Sequence, residues 1–123
     1  MKYLILIRSN PSFRDLWETW PNTKRMEFGR SHIMLTKSLY ESGEMVAGEG
    51  LGDPSLGFRV SATDGQVTTV DGPFAEVKEH VVGFLLVDCE DRERAVQIAA
   101  QVPDAQYGEV EVRPVLDSKS FDF

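Results

Sequence analysis

Apolar and polar residues alternate along this chain with two periods. Residues 3–7, Tyr-Leu-Ile-Leu-Ile, are apolar on both faces of an extended segment. A short continuous run of this kind predicts a strand covered on both sides. Residues 9–21 break the pattern, with Pro11 and Pro21 framing Trp17 and Trp20, and are expected to be a loop. From Asn22 to Ser42 the period becomes helical. On a wheel of 100° per residue, Phe28, Leu35 and Leu39 share one stripe and Met26, Ile33 and Tyr40 a second. Glu27, Arg30, Lys37 and Glu41 fall opposite, so the helix is amphipathic, and Gly43 stands where a helix stop belongs.

Beyond it, residues 44–63 carry Gly48, Gly50, Gly52 and Gly57 before the strand-like Phe58-Arg59-Val60. Asp64-Gly65 is a hairpin turn signal joining 58–63 to Gln66–Val70. Asp71-Gly72-Pro73-Phe74 is a second turn: Asp71 can bond backbone N–H groups, Gly72 can take a positive φ, and Pro73 fixes its own. Val81–Val87 is another apolar strand. Asp91 then caps a helix on which Ala95, Ile98, Ala99 and Val102 keep i, i+3, i+4, i+7 spacing, and Pro103 ends it. Val110 and Val112 alternate with charged neighbours in a last strand, at whose end Pro114 marks an edge. The order β-α-β-β(-β)-β-α-β predicts a single ferredoxin-like α+β domain, βαββαβ with an extra hairpin, an antiparallel sheet and two helices on one face. Because the first and penultimate strands are apolar on both faces, the other face needs a cover. A second copy of the sheet, giving a face-to-face homodimer, is the economical one.

Composition narrows the function classes. At 123 residues, with formal net charge −7, the surface repels phosphate backbones, which argues against nucleic acid as a partner. Cys89 has no internal partner for a disulfide, consistent with a reducing compartment, and reads as a small buried hydrophobe. The apolar N-terminal run is too short for a signal-peptide core or a membrane span. A cytoplasmic protein without membrane contact is the expectation. No histidine, cysteine and carboxylate set has metal spacing, and Gly48-Glu49-Gly50-Leu51-Gly52 lacks the Lys-Ser/Thr of a phosphate loop. Neither metal nor organic cofactor is expected.

Several segments together resemble the YCII-related proteins, in the subgroup named for its DGPF motif. They are GEGL (48–51), FRV and DG (58–60 and 64–65), VDGPFAEVKE (70–79), the GF of VVGFLLVD (81–88) and EVRPV (111–115). The resemblance implies a dimeric α+β barrel. It also implies an active-site pair of a histidine on the long helix and a nearby acidic residue, and Arg30-Ser31-His32 matches that histidine's context. Relatives with the same barrel include monooxygenases, muconolactone isomerases and a dehydrochlorinase. DGPF proteins are often encoded beside extracytoplasmic-function sigma factors.

The residues themselves admit two readings each. His32 falls within the apolar arc of its helix. It is either a general base facing a cleft or a core histidine bonded to one carbonyl. Asp71 is the first candidate for its carboxylate partner, which would fix the imidazole tautomer, with Asp53 second and Glu76 third. Asp71 can equally hold its own turn. Glu76 and Lys78 can orient a polar ligand or form a solvated charged loop. Phe74 can contribute to a ligand site or plug the core. Arg59 on its strand can grip a carboxylate bidentately or pair with a cross-strand glutamate. Trp17 and Trp20 can roof an apolar pocket or anchor their loop, and His80 is expected in an exposed loop. Two functions remain open: a cofactor-independent enzyme doing proton-transfer chemistry of isomerase or lyase type on a small molecule, with His32 and Asp71 as its catalytic pair, or a ligand-binding or accessory protein of a sigma-factor circuit.

Overall fold

The computed structural model describes residues 1–73, 80–108 and 110–117. Its order is β1 (Lys2–Ser9), α1 (Pro11–Thr19), α2 (Asn22–Ser42), β2 (Met45–Gly50), a 3-10 turn (Pro54–Leu56), β3 (Phe58–Thr63), β4 (Gln66–Asp71), β5 (His80–Asp88), α3 (Arg92–Gln101), a second 3-10 turn (Pro103–Gln106) and β6 (Val110–Pro114). β2, β5, β1 and β6 form an antiparallel sheet in that order, as the ferredoxin-like reading requires, while β3 and β4 pair apart from it as a hairpin.

Strand alternation divides the sheet into two faces. Tyr3, Ile5 and Ile7 of β1 lie opposite Val87, Leu85 and Gly83 of β5. The large side chains of this set are buried with Leu35 and Leu39 of α2 and with Ala95, Ile98 and Ala99 of α3. The intervening residues point the other way: Leu4 pairs with Leu86, and Leu6 with Phe84. These four are half-buried on the face away from the helix-packed core, so the apolarity of both strand faces persists in the fold.

The long helix has the predicted span. Gly43 ends it in the left-handed region at φ 81°, donating to Tyr40 O, while Glu44 N donates to Leu39 O at 3.0 Å. Of its two apolar stripes, the one holding Leu35 and Leu39 is buried, whereas Met26, Ile33 and Tyr40 are exposed. Asp91 caps α3 by accepting from Arg94 N at 2.9 Å. Arg94 also donates twice to the Glu44 carboxylate, each at 2.8 Å, tying α3 to the start of β2. That paired guanidinium lowers the Glu44 carboxyl to about 2.

Residues 9–21 contain a helix where a loop was expected. Asn10 accepts from Phe13 N at 2.8 Å as an N-cap, and Pro11 occupies the first turn, where its missing N–H costs nothing. The helix buries none of its own residues. It is held by ring contacts of Phe13 and Trp17, and of Trp20 just after it, with Phe28 and Tyr107. The tryptophans thus anchor their segment. Arg25 completes the attachment by donating to the terminal carbonyl of Trp17 at 2.9 Å.

The hairpin forms with the predicted turn, Asp64 at φ 52° and Gly65 at φ 81°. Gly72 does not adopt a positive φ. The Gly72–Pro73 peptide is cis, and Gly72 N donates to Gly57 O at 2.8 Å. His80 opens β5 opposite Ser9 and is not in a loop. Cys89 is buried, its thiol pushed up by burial.

Candidate active site

A cavity of about 390 Å³ lies between the sheet and α2, large enough for a small ligand. Its origin is legible in the strand register. Gly50 of β2 lies opposite Gly83 of β5, and Gly48 opposite Leu85. All three glycines sit on the helix-facing side, where neighbouring positions carry Met45, Leu85, Val87, Ile5 and Ile7. Glycine inside a strand costs roughly 0.5–1 kcal/mol relative to alanine. Here the missing side chains leave bare backbone as a floor, with Ile7, Val82 and Leu85 among the walls.

His32 and Thr36, one helical turn apart on α2, line the cavity from the opposite side. His32 Nε2 stands 2.5 Å from Asp104 Oδ1. Asp104 belongs to the 3-10 turn that Pro103 starts at the end of α3, and its backbone carbonyl accepts from Tyr107 N and Gly108 N at 3.0 and 2.9 Å. The carboxylate side chain is 8% exposed and the imidazole 32%. The acid is therefore fixed and dry, while the base keeps a path to the cavity. The Phe28 ring, 5.1 Å away at 62°, closes the other side of the imidazole edge to face.

The carboxylate on His32 is thus that of Asp104, a residue the sequence did not single out. Asp71 ends β4 opposite Phe58 on the hairpin. Asp53 caps the first 3-10 turn, accepting from Ser55 N at 2.9 Å, and the Ser55 hydroxyl and amide hold its carboxyl below the usual range. Arg59 lies on β3 opposite Val70. Asp71, Asp53 and Arg59 are not among the walls of the His32 cavity. Glu76, Lys78 and Phe74 lie outside the described residues. Asp104 had a faint sequence signal, the Pro-Asp pair after a helix end, but only folding brings it to a histidine 72 positions earlier.

The sequence profile of the YCII-related domain matches residues 1–119. The chain belongs to the YCII-related family. An uncharacterised protein of Rhizobium meliloti (strain 1021) is 27% identical over 117 residues, covering 94% of this chain and 92% of that protein. Among solved structures, the YCII-related chain is similar to the 5-chloro-2-hydroxyhydroquinone dehydrochlorinase TftG of Burkholderia phenoliruptrix AC1100, determined in complex with 2,5-dihydroxybenzoquinone. The TM-score is 0.54 at 14% identity, covering 99% of this chain and all of that one, and it establishes a shared fold. No helix of the described residues is long and apolar enough to cross a membrane.

Proposed function

We propose that this YCII-related protein is a small-molecule enzyme that moves a proton without metal or organic cofactor, an isomerase or lyase in reaction type. The observation that carries this reading is the His32–Asp104 contact at the wall of the glycine-floored cavity. A carboxylate on Nε2 fixes which imidazole nitrogen faces the ligand and stabilises the imidazolium formed when the base takes a proton. The base would be His32 through Nδ1, and Asp104 would act through it as the positioning residue. Elimination of hydrogen chloride, the activity in the name of the TftG neighbour, is one reaction of this type. It removes a proton from the substrate as chloride leaves.

The experiment is solvent deuterium uptake into a panel of enolisable ketones and polyhydroxylated rings, followed by NMR. Wild-type protein should accelerate exchange in at least one member by about 10² or more, a general-base effect that His32→Ala removes. Exchange at the buffer rate throughout, or acceleration that survives in His32→Ala, would reject the reading. A ligand-binding role without turnover would then stand. The reading includes a homodimer formed through the open sheet face, supported by the half-buried Leu4, Leu6, Phe84 and Leu86, and a cytoplasmic setting.

A further inference from the structure

The hairpin of β3 and β4 pairs with no strand of the main sheet, and every residue of its two six-residue strands is exposed. Its register sorts the side chains by face. Phe58, Val60 and Ala62 lie opposite Asp71, Thr69 and Val67 and share one face with them. Arg59, Ser61 and Thr63 lie opposite Val70, Thr68 and Gln66 on the other, where the Ser61 and Thr68 hydroxyls share a hydrogen bond at 2.6 Å. The first face is apolar, yet Phe58 is 64%, Val60 59% and Val67 68% exposed. A two-stranded hairpin alone is marginally stable in water at best, so such a face calls for a surface to pack on.

We propose that this hairpin is an exchanged arm, whose apolar face packs on a second copy of the chain while the partner's arm packs back across a twofold axis. Charge favours that occupant. The chain carries net charge −7, so two copies repel unless they meet through surfaces poor in charge, and the apolar face holds one ionisable side chain, Asp71 at its root. Connectivity favours it too. The chain enters the arm after β2 and next forms β5, the strand that places Phe84 and Leu86 on the open sheet face. Area completes the argument. Four strands about five residues deep present roughly 300 Å² of projected face, against the roughly 800 Å² that each partner of a stable dimer buries. The arm adds roughly 200 Å², and exchange counts it twice for each copy, once as the arm given and once as the surface beneath the partner's arm. The inference extends the homodimer reading and does not depend on the catalytic one.

The test compares Val60→Glu with Val70→Glu, because both valines are 59% exposed in the single chain and lie on opposite faces of the arm. Sedimentation velocity over a concentration series gives the dimer dissociation constant of each. Val60→Glu should weaken the dimer at least about tenfold, since it buries a carboxylate against the partner, and Val70→Glu should stay within about twofold of wild type. Hydrogen exchange of the wild-type arm amides keeps the test sound if a substitution disturbs the hairpin. They should be protected where the protein is dimeric and lose that protection on dilution to monomer. Equal weakening by both substitutions would overturn the assignment of face. A wild-type dimer that neither substitution weakens, or arm amides that exchange equally at both concentrations, would overturn the arm while leaving the open sheet face as the interface. Wild type that is monomeric at every concentration would overturn the arm and the homodimer together.

Discussion

His32 Nε2 and Asp104 Oδ1 meet at 2.5 Å, the imidazole from the middle of the longest helix and the carboxylate from a short turn after the last one. The pair joins α2 to the 3-10 turn that follows α3, so the two helices that the crossover rule places side by side also complete one site. A buried carboxylate without a partner is costly. The contact therefore serves the fold of the turn as well as the chemistry of the histidine.

Replacing Asp104 by Asn should change His32 where replacing Asp71 or Asp53 does not. An amide in the carboxylate's place can donate as well as accept and no longer fixes the tautomer. The nitrogen shifts of His32 should move in Asp104→Asn and stay at wild-type positions in Asp71→Asn and Asp53→Asn. Proton-transfer rate should fall by about 10-fold or more in the first alone. A His32 spectrum that follows Asp71 would return the pairing to the residue first suspected.

The architecture of sheet and helices was readable because it rests on local periodicity. Asn22–Ser42 has its span in the wheel, and the Asp64-Gly65 hairpin follows from turn chemistry. The helix Pro11–Thr19 was not readable in the same way. Its two flanking prolines resemble loop punctuation, and its apolar face is aromatic, packing on Phe28 and Tyr107 rather than on the main core. His32 could be named because a polar residue on an apolar arc breaks the pattern and because Arg30-Ser31-His32 matches the histidine context that the family resemblance implies. Asp104 could not, since a Pro-Asp pair after a helix end does not distinguish an aspartate about to be buried from one capping a turn. The glycine floor stood in plain sight as Gly48, Gly50 and Gly83. Its meaning appears only when strand register brings Gly50 opposite Gly83.

The Glu44–Arg94 pair gives a pH dependence of definite sign. Its carboxyl falls from 4.5 to about 2 on folding, so it contributes stability above about 4.5. That contribution fades as pH falls from about 4.5 toward 2. Arg94→Met should destabilise at pH 7, by an amount that solvent screening of the partly exposed guanidinium keeps modest. Urea midpoints of wild type and variant should differ at pH 7 and converge near pH 2. A gap that stays constant with pH would show that the arginine acts through packing alone.

Two glycines on the long helix should respond in opposite directions to alanine. Gly29 is within α2, with open space around an added Cβ, and Gly29→Ala should stabilise by up to about 1 kcal/mol. Gly43 ends the helix at φ 81°, where alanine is strained, and Gly43→Ala should destabilise by about 1 kcal/mol. Chemical denaturation distinguishes the two. Shifts of the same sign would contradict the helix-end geometry.

The open sheet face supports the last prediction. Leu4, Leu6, Phe84 and Leu86 occupy its middle, with exposed Glu49 opposite Phe84, Glu111 opposite Leu6 and Arg113 opposite Leu4. An apolar centre ringed by charge is the anatomy of a protein interface, and an isologous pairing of two sheets covers both centres at once. Light scattering at micromolar concentration should therefore give twice the chain mass of 13.8 kDa. Phe84→Asp places a charge at the centre of the face without touching the helix-side core, so it should give a folded monomer whose far-ultraviolet spectrum matches that of wild type. A wild-type protein that stays monomeric and well folded at those concentrations would remove the second sheet as the cover. A Phe84→Asp protein that remains dimeric would move the interface to another surface.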